Sequence, residues 1–335
     1  LHAPTHRRAV RICGIGQFAA LQGALSARLV QKKPLGRRHR LREARSTASA
    51  GLGCFAAWDG ASFQFPHLQG FSMAATGRLE VEAVSKSFAT PGRPRLDVLV
   101  DASFTVEPGA FISLVGPSGC GKSTLLRLIA GLDTEHQGRL RLHGERITGT
   151  SLSRGIVFQD HRLLPWLTLQ QNIGLILSNA PLSPDAKRKA IREHIALVGL
   201  QGFEHAYPHE LSGGMAQRGA IARGLVSQPE LLLLDEPLGA LDALTRVRLQ
   251  EELQRIWRAE GVTMILVTHD VDEAIFLSSK VIVMSANPGR IVRQVDIDLP
   301  EPRDRTSTAF AALKREILTS MGERAAARDE ALAEA

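Results

Sequence analysis

The sequence has little with which to cross-link or anchor itself. Its three cysteines, Cys13, Cys54 and Cys120, have neither the paired spacing of a disulfide framework nor that of a metal site. This argues against a stapled secreted module and suits a reducing compartment. No run approaches the 18 apolar residues that a membrane-spanning helix needs, so any membrane role must be borrowed from a partner. No internal repeat is visible, which excludes a solenoid or a tandem duplication. Acidic residues are nearly missing from residues 1–72, which hold 2 Asp/Glu against 11 Lys/Arg, while the remaining 30 basic residues meet 32 acidic ones. The formal net charge of +7 therefore belongs to the first 72 residues alone, and no nucleic-acid partner is expected for the rest.

Those 72 residues begin with Leu1, are rich in Arg, Gly, Ala and Ser, and carry no sustained periodicity. They are expected to be a disordered extension, or upstream sequence translated ahead of a true start at Met73. A basic targeting leader bearing Arg37-Arg38-His39-Arg40 is the third reading. From residue 79 the pattern becomes that of a folded body, with 44% hydrophobic residues in the whole chain. Residues 79–84 alternate like a half-buried strand, 98–106 read as the next strand, and the Pro108-Gly109 turn precedes a third.

That third strand leads into Gly116-Pro117-Ser118-Gly119-Cys120-Gly121-Lys122-Ser123-Thr124, and an apolar-periodic helix follows. Strand, glycine-rich loop and helix are the setting a P-loop requires. The loop amides and the positive end of the helix favour a polyphosphate. Lys122 is expected to reach the outer phosphates and Ser123 to ligate Mg²⁺. A merely structural glycine turn has no need for the Lys-Ser-Thr that follows.

Further on, residues 139–144 suggest a short hairpin, and 156–158 a short strand ending at Gln159. Residues 163–167 form an unusually apolar turn. Helical patterns then cover 169–177 and 184–197, the second with Ile191, Ile195 and Leu197 on one face and Lys187, Arg188, Lys189 and Arg192 around the other. Ser212 is placed to cap a helix that opens with Gly213 and Gly214. The run Leu231-Leu232-Leu233-Leu234 reads as a strand buried on both faces, with Asp235 and Glu236 at its C-terminal end, where open α/β sheets place ligands. A second buried strand over 264–267 ends in Thr268-His269-Asp270. Residues 280–284 and 290–299 read as closing strands about an Asn287-Pro288-Gly289 turn, and 309–321 and 323–335 as helices.

Taken in order, these pieces make residues 79–300 resemble the ATP-binding subunit of ABC transporters. The P-loop at 116–124 is followed by a Q-loop glutamine (Gln159), a signature (211–214), a Walker B run (231–235) with Glu236, a D-loop (Gly239-Ala240-Leu241-Asp242) and a switch histidine (His269). Phe88, out of place by periodicity, matches the aromatic that stacks on adenine in that family. The stretches 159–166, 242–246 and 287–292 look most like the bacterial nitrate, sulfonate and taurine import branch. Departures are Met215 and Ala216 after the signature, and Gly219 and Gly224, each weakening the helix by up to about 1 kcal/mol relative to Ala.

The resemblance implies a P-loop NTPase core of mostly parallel sheet with flanking helices, an antiparallel β subdomain and an inserted α-helical subdomain over about 160–228. The nucleotide-binding domain covers 73–300 and a helical tail 301–335. It implies Mg²⁺ and ATP as cofactors, with Lys122, Gln159, Glu236 and His269 in catalysis. Ser123, Gln159 and Asp235 would hold the metal, Asp235 through water. Phe88, residues 116–124, Ser212, Gly213, Gly214 and Asp242 would surround nucleotide. Because the signature completes the site of another subunit in that family, a second copy is implied. So are a transmembrane permease contacted near 163–167, a periplasmic solute-binding protein indirectly, and a peripheral position on the cytoplasmic face of the inner membrane. DNA-repair heads of similar motif carry a coiled coil between P-loop and signature, and translation-associated ones two nucleotide domains; neither is present.

Overall fold

Four leucines in a row leave a strand no polar face to turn to water, so Leu231–Asp235 must lie between two apolar layers. In a computed structural model of the chain, residues 78–89, 92 and 94–333 are described, with side chains as far as Met321. The 1–72 extension and Met73 lie outside the described residues. In chain order the strands are β1 (Leu79–Phe88), β2 (Leu96–Val106), β3 (Phe111–Val115), β4 (Gln137–Leu142), β5 (Glu145–Arg146), β6 (Arg154–Val157), β7 (Leu231–Asp235), β8 (Thr263–Thr268), β9 (Lys280–Ser285) and β10 (Arg290–Asp296). The α-helices are α1 (Lys122–Ala130), α2 (Leu169–Gly174), α3 (Pro184–Leu197), α4 (Gly213–Leu225), α5 (Ala243–Glu260), α6 (Val271–Leu277) and α7 (Thr308–Ala333).

Six strands form one sheet in the order β10-β9-β3-β8-β7-β6, all neighbours parallel except β10 against β9. Alternation along its strands divides the apolar residues between two cores. Ile112, Leu114, Leu231, Leu233, Ile265 and Val267 join α1 and the antiparallel sheet β2-β1-β4-β5. Phe111, Val115, Leu232, Leu234, Met264 and Leu266 join the helices of the other side. The chain is thus an α/β protein with a parallel core sheet, a smaller antiparallel sheet, and the helices α2 to α4 within 160–228.

Several boundaries differ from the sequence expectation. β2 begins two residues early, at Leu96, because pairing with Phe88 extends it. β10 stops at Asp296, where its register with Lys280 ends. The pattern over 169–177 is a short α-helix that tightens into a 3-10 turn over Leu175–Leu177. The tail is one helix over Thr308–Ala333 rather than two, since a single interior glycine at Gly322 costs only about 1 kcal/mol.

Gly219 and Gly224, which looked like weaknesses, are close-approach positions. A Cβ on Gly219 would lie 2.7 Å from the Leu169 Cδ1, and one on Gly224 3.1 Å from Leu232 Cδ1. Lost helix propensity is offset by the intimacy with which α4 sits on α2 and on the sheet.

Candidate functional site

The parallel strands β6, β7, β8 and β3 all end at one edge, and each delivers a polar group there. After β3 the chain curls through 116–121 into α1. Two glycines are obligatory in that curl. Gly121 has φ 90°, and a Cβ on it would meet Leu99 Cδ2 at 2.7 Å. A Cβ on Gly116 would meet the Met284 carbonyl oxygen at 2.5 Å. The first amides of α1 have no intrahelical acceptor and open towards the loop. Lys122 is buried, and its ammonium donates to the Gly116 carbonyl at 2.7 Å and the Pro117 carbonyl at 3.0 Å, with Cys120 Sγ at 3.6 Å.

From the first turn of α1, Ser123 Oγ donates to Asp235 Oδ1 at 2.8 Å, joining the P-loop helix to the end of β7. Burial pushes the Asp235 carboxyl above its ordinary range. The Ser123 hydrogen bond opposes this, and the Glu236 charge adds to it. A hydroxyl and a carboxylate at this spacing are hard oxygen donors of the kind Mg²⁺ takes, and a nearby cation would reverse the cost of charging Asp235. Among the described residues no group of three or more His, Cys, Asp or Glu could cage a metal. Mg²⁺ bound through one or two protein oxygens and substrate phosphates needs no such cage.

Glu236 is held in a left-handed conformation, φ 48°, by its amide's bond to the Val267 carbonyl and its carbonyl's bond from the Gly239 amide. For a non-glycine residue this conformation costs roughly 1–2 kcal/mol, and such strain collects at functional positions. The turn brings Glu236 Oε2 to 3.2 Å from His269 Nδ1. Gln159 is exposed beyond β6, its Nε2 beside Gly239 and therefore near Glu236.

Phe88 lies at the side of this edge and is 44% exposed. With Thr124, Arg127 and Asp133 it lines an open cavity of about 420 Å³. The ammonium of Lys86, paired with Asp133 at 2.9 Å, sits 4.9 Å from the Phe88 ring centroid and braces it.

Not every expected residue joins this cluster. Ser212 accepts the Met215 amide at 3.3 Å as the cap of α4, while Gly213 and Gly214 neighbour Leu241 and Thr245. Asp242 caps α5 by accepting the Thr245 amide at 3.0 Å, and its bonds with Thr245 hold its carboxyl below the usual range. The apolar turn at 163–167 divides: Leu163 is in the core and Trp166 is 64% exposed.

Comparison with known proteins places this edge in context. The ABC transporter family model matches residues 99–239. The aliphatic sulfonates import ATP-binding protein SsuB of Bacillus licheniformis is 49% identical over 240 residues, covering 72% of this chain and 92% of that protein.

The chain belongs to the ABC transporter family.

The nitrate import ATP-binding protein NrtC of Synechococcus elongatus is 50% identical over 230 residues, or 68% of this chain and 35% of that protein. Among solved structures, a dimeric ATP-binding cassette in a post-hydrolysis state, bound to ADP and Pi, matches with TM-score 0.58 and 29% identity, covering 65% of this chain and 98% of that one. Within this ABC-family fold, three groups near the site had been given no role from the sequence. Gln217 Nε2 donates to the Phe158 carbonyl at 3.1 Å, fixing α4 to the residue before Gln159. Glu273 accepts from the Thr268 hydroxyl beside His269. Arg246 donates to the Leu241 carbonyl at 3.0 Å. Gln217 and Phe158 are 59 residues apart, and Arg246 and Glu273 stand on α5 and α6, over which the sequence pattern suggested no helix.

Proposed function

We propose that this chain is the ATPase subunit of an import complex and hydrolyses Mg-ATP as a head-to-tail pair to drive a separate permease for small anions of the sulfonate and nitrate class. The observation that carries it is the paired geometry at one sheet edge: Ser123 with Asp235 and Glu236 with His269, around a single P-loop. The 49% identity to a sulfonate-import subunit and 50% to a nitrate-import one support the anion class.

Hydrolysis of a phosphoanhydride is a problem of positioning and charge stabilisation. Loop amides and Lys122 hold the outer phosphates, the ammonium exchanging the Gly116 and Pro117 carbonyls for phosphate oxygens. Phe88 offers a π-face to the base without reading its edge. Glu236 polarises the attacking water and accepts its proton, and His269 keeps Glu236 and the γ-phosphate in register. Ser123, Gln159 and Asp235, the last through water, are the residues that would hold Mg²⁺, which when bound neutralises charge developing on the phosphate oxygens.

Ser212, Gly213, Gly214 and Asp242 lie on the capped ends of α4 and α5. On this proposal they complete the nucleotide site of a second copy, as helix N-termini suited to an anion. No helix among the described residues is long and apolar enough to cross a membrane. The chain would sit at the cytoplasmic face through its permease, with exposed Trp166 as the contact and a periplasmic binding protein delivering solute. Glu236→Gln tests the core of this. It should bind ATP with Kd within about twofold of the parent while turnover falls at least about 100-fold. The same protein should shift to a dimer in Mg-ATP; near-parental hydrolysis or a persistent monomer would refute the assignment.

A further inference from the structure

Behind Glu236 and His269 lies a second polar group for which the mechanism above has no use. Glu273 is 4% exposed on α6, and one of its oxygens accepts from Thr268 Oγ1. Thr268 Oγ1 also accepts the Asp270 amide at 3.0 Å, so the hydroxyl grips the chain on both sides of His269. The other oxygen, Glu273 Oε1, and Arg246 Nε are both buried with no hydrogen-bond partner among the described residues. Both residues line a cavity of about 20 Å³ that also touches Glu236, Gly239 and His269. That volume takes about one water, and a donor and an acceptor stand ready to hold it. Arg246 meanwhile donates to the carbonyl of Leu241, in the 239–242 loop.

We propose that Glu273 is a positioning residue for hydrolysis: through Thr268 it sets His269, and through Arg246 it ties that setting to the 239–242 loop. The inference rests on the roles given above to Glu236 and His269. A change at Leu241, the residue before the cap of α5, is thereby felt at the histidine 28 positions later without passing through nucleotide. The carboxylate form serves this link, since it accepts from Thr268 and balances the Arg246 guanidinium, whereas a protonated Glu273 leaves that guanidinium uncompensated. Burial raises the Glu273 carboxyl to about 7; the Thr268 bond opposes the shift, Asp270 adds to it, and Arg246 and His269 oppose it. Glu236 lines the same cavity. Lys314 of α7 and Lys280 of β9 are engaged by Asp272 and Asp296.

The test is steady-state ATP hydrolysis by the full chain across pH. The parent should show kcat rising through pH about 7 with KM for ATP steady. Glu273→Gln should lower kcat about tenfold above that pH, keep KM within about twofold, and flatten the rise. Thr268→Val, which removes only the hydroxyl, should reproduce the loss, and Arg246→Met combined with Glu273→Gln should be no worse than the poorer single variant. A parental kcat and pH profile in Glu273→Gln, additive losses in the double variant, or a KM that rises in step with the fall in kcat each overturns the proposal. Glu236→Gln run alongside separates the two levels. If it remains active, the roles of Glu236 and His269 fail; if it is inactive while Glu273→Gln is parental, only the positioning role fails.

Discussion

Replacing Asn172 by Leu should loosen the turn that presents Trp166 while leaving the nucleotide site intact. Asn172 is fully buried in α2, and its side chain makes four hydrogen bonds to the 164–168 turn. It accepts the Leu164 amide at 2.7 Å and donates to the carbonyls of Leu164, Leu167 and Thr168 at 3.0–3.1 Å. Two of those groups have other partners: the Leu164 carbonyl accepts the Leu167 amide, and the Thr168 carbonyl accepts the Asn172 amide. Leucine therefore orphans the Leu164 N–H and the Leu167 C=O. At about 1–3 kcal/mol for each unsatisfied buried group, and with this turn only partly buried, the loss should be about 2–3 kcal/mol. Urea unfolding of parent and variant measures it, with unchanged m-value as the check that the denatured state is the same. Basal hydrolysis by the variant subunit should stay within about twofold, while stimulation by the reconstituted permease should fall, because the exposed indole is no longer held in place. A loss below about 0.5 kcal/mol would mean that water satisfies the turn as well as asparagine does, and the reasoning would fail.

Other substitutions probe the remaining features. Phe88→Ala should raise KM for ATP about fivefold with kcat little changed, while Phe88→Tyr stays near the parent; equal KM values in all three would remove the stacking role. Gly219→Ala gains up to about 1 kcal/mol of helix propensity but forces a methyl against Leu169 and Leu163, so the net effect in chemical denaturation should be a loss of about 1 kcal/mol. A gain would show that α2 yields without cost. For Glu273 the linkage has a definite sign. Its native pKa, about 7, lies above the ordinary 4.5, so its stabilising proton is fully bound below 4.5 and lost as pH rises through 7. Above that window the charged group costs up to about 3 kcal/mol, and Glu273→Gln should be the more stable protein there even as its turnover drops. Equal stability at both ends of the window would contradict the burial argument.

What the chain disclosed in advance follows from how local each requirement is. A loop that must curl, expose amides and start a helix needs its glycines and Lys122 within nine consecutive residues, so residues 116–124 announce themselves. The strand-end groups Asp235, Glu236 and His269 were equally legible, since an unbroken apolar run fixes where a buried strand stops. Asn172, Arg246 and Glu273 were not: their partners lie only four to eight residues away, but each bond depends on how the chain turns between them, which residue types and spacing do not specify. Gly219 and Gly224 were misread because a helix considered alone scores only their propensity, whereas the Leu169 and Leu232 methyls that a Cβ would crowd lie 50 and 8 residues away. The turn at 163–167 was read as one apolar unit, whereas Asn172 gathers its backbone and sends Leu163 inward and Trp166 out.

The pairing of β3 bears on the order in which the protein can be made. Its two sheet neighbours are β8 and β9, whose paired residues follow it by 153 and 168 positions. At roughly 5–20 residues per second of synthesis, the strand that carries the P-loop waits on the order of 10–30 s for its first partner. The antiparallel sheet, by contrast, closes on near neighbours, β1 with β2 and β4. During that interval Phe111-Ile112-Ser113-Leu114-Val115 is an apolar strand with two open edges, the kind of segment that chaperones bind and that aggregates when they do not. Phosphate binding is therefore among the last properties a nascent copy acquires, and a ribosome stalled before residue 263 holds a chain with a complete P-loop sequence and no nucleotide site.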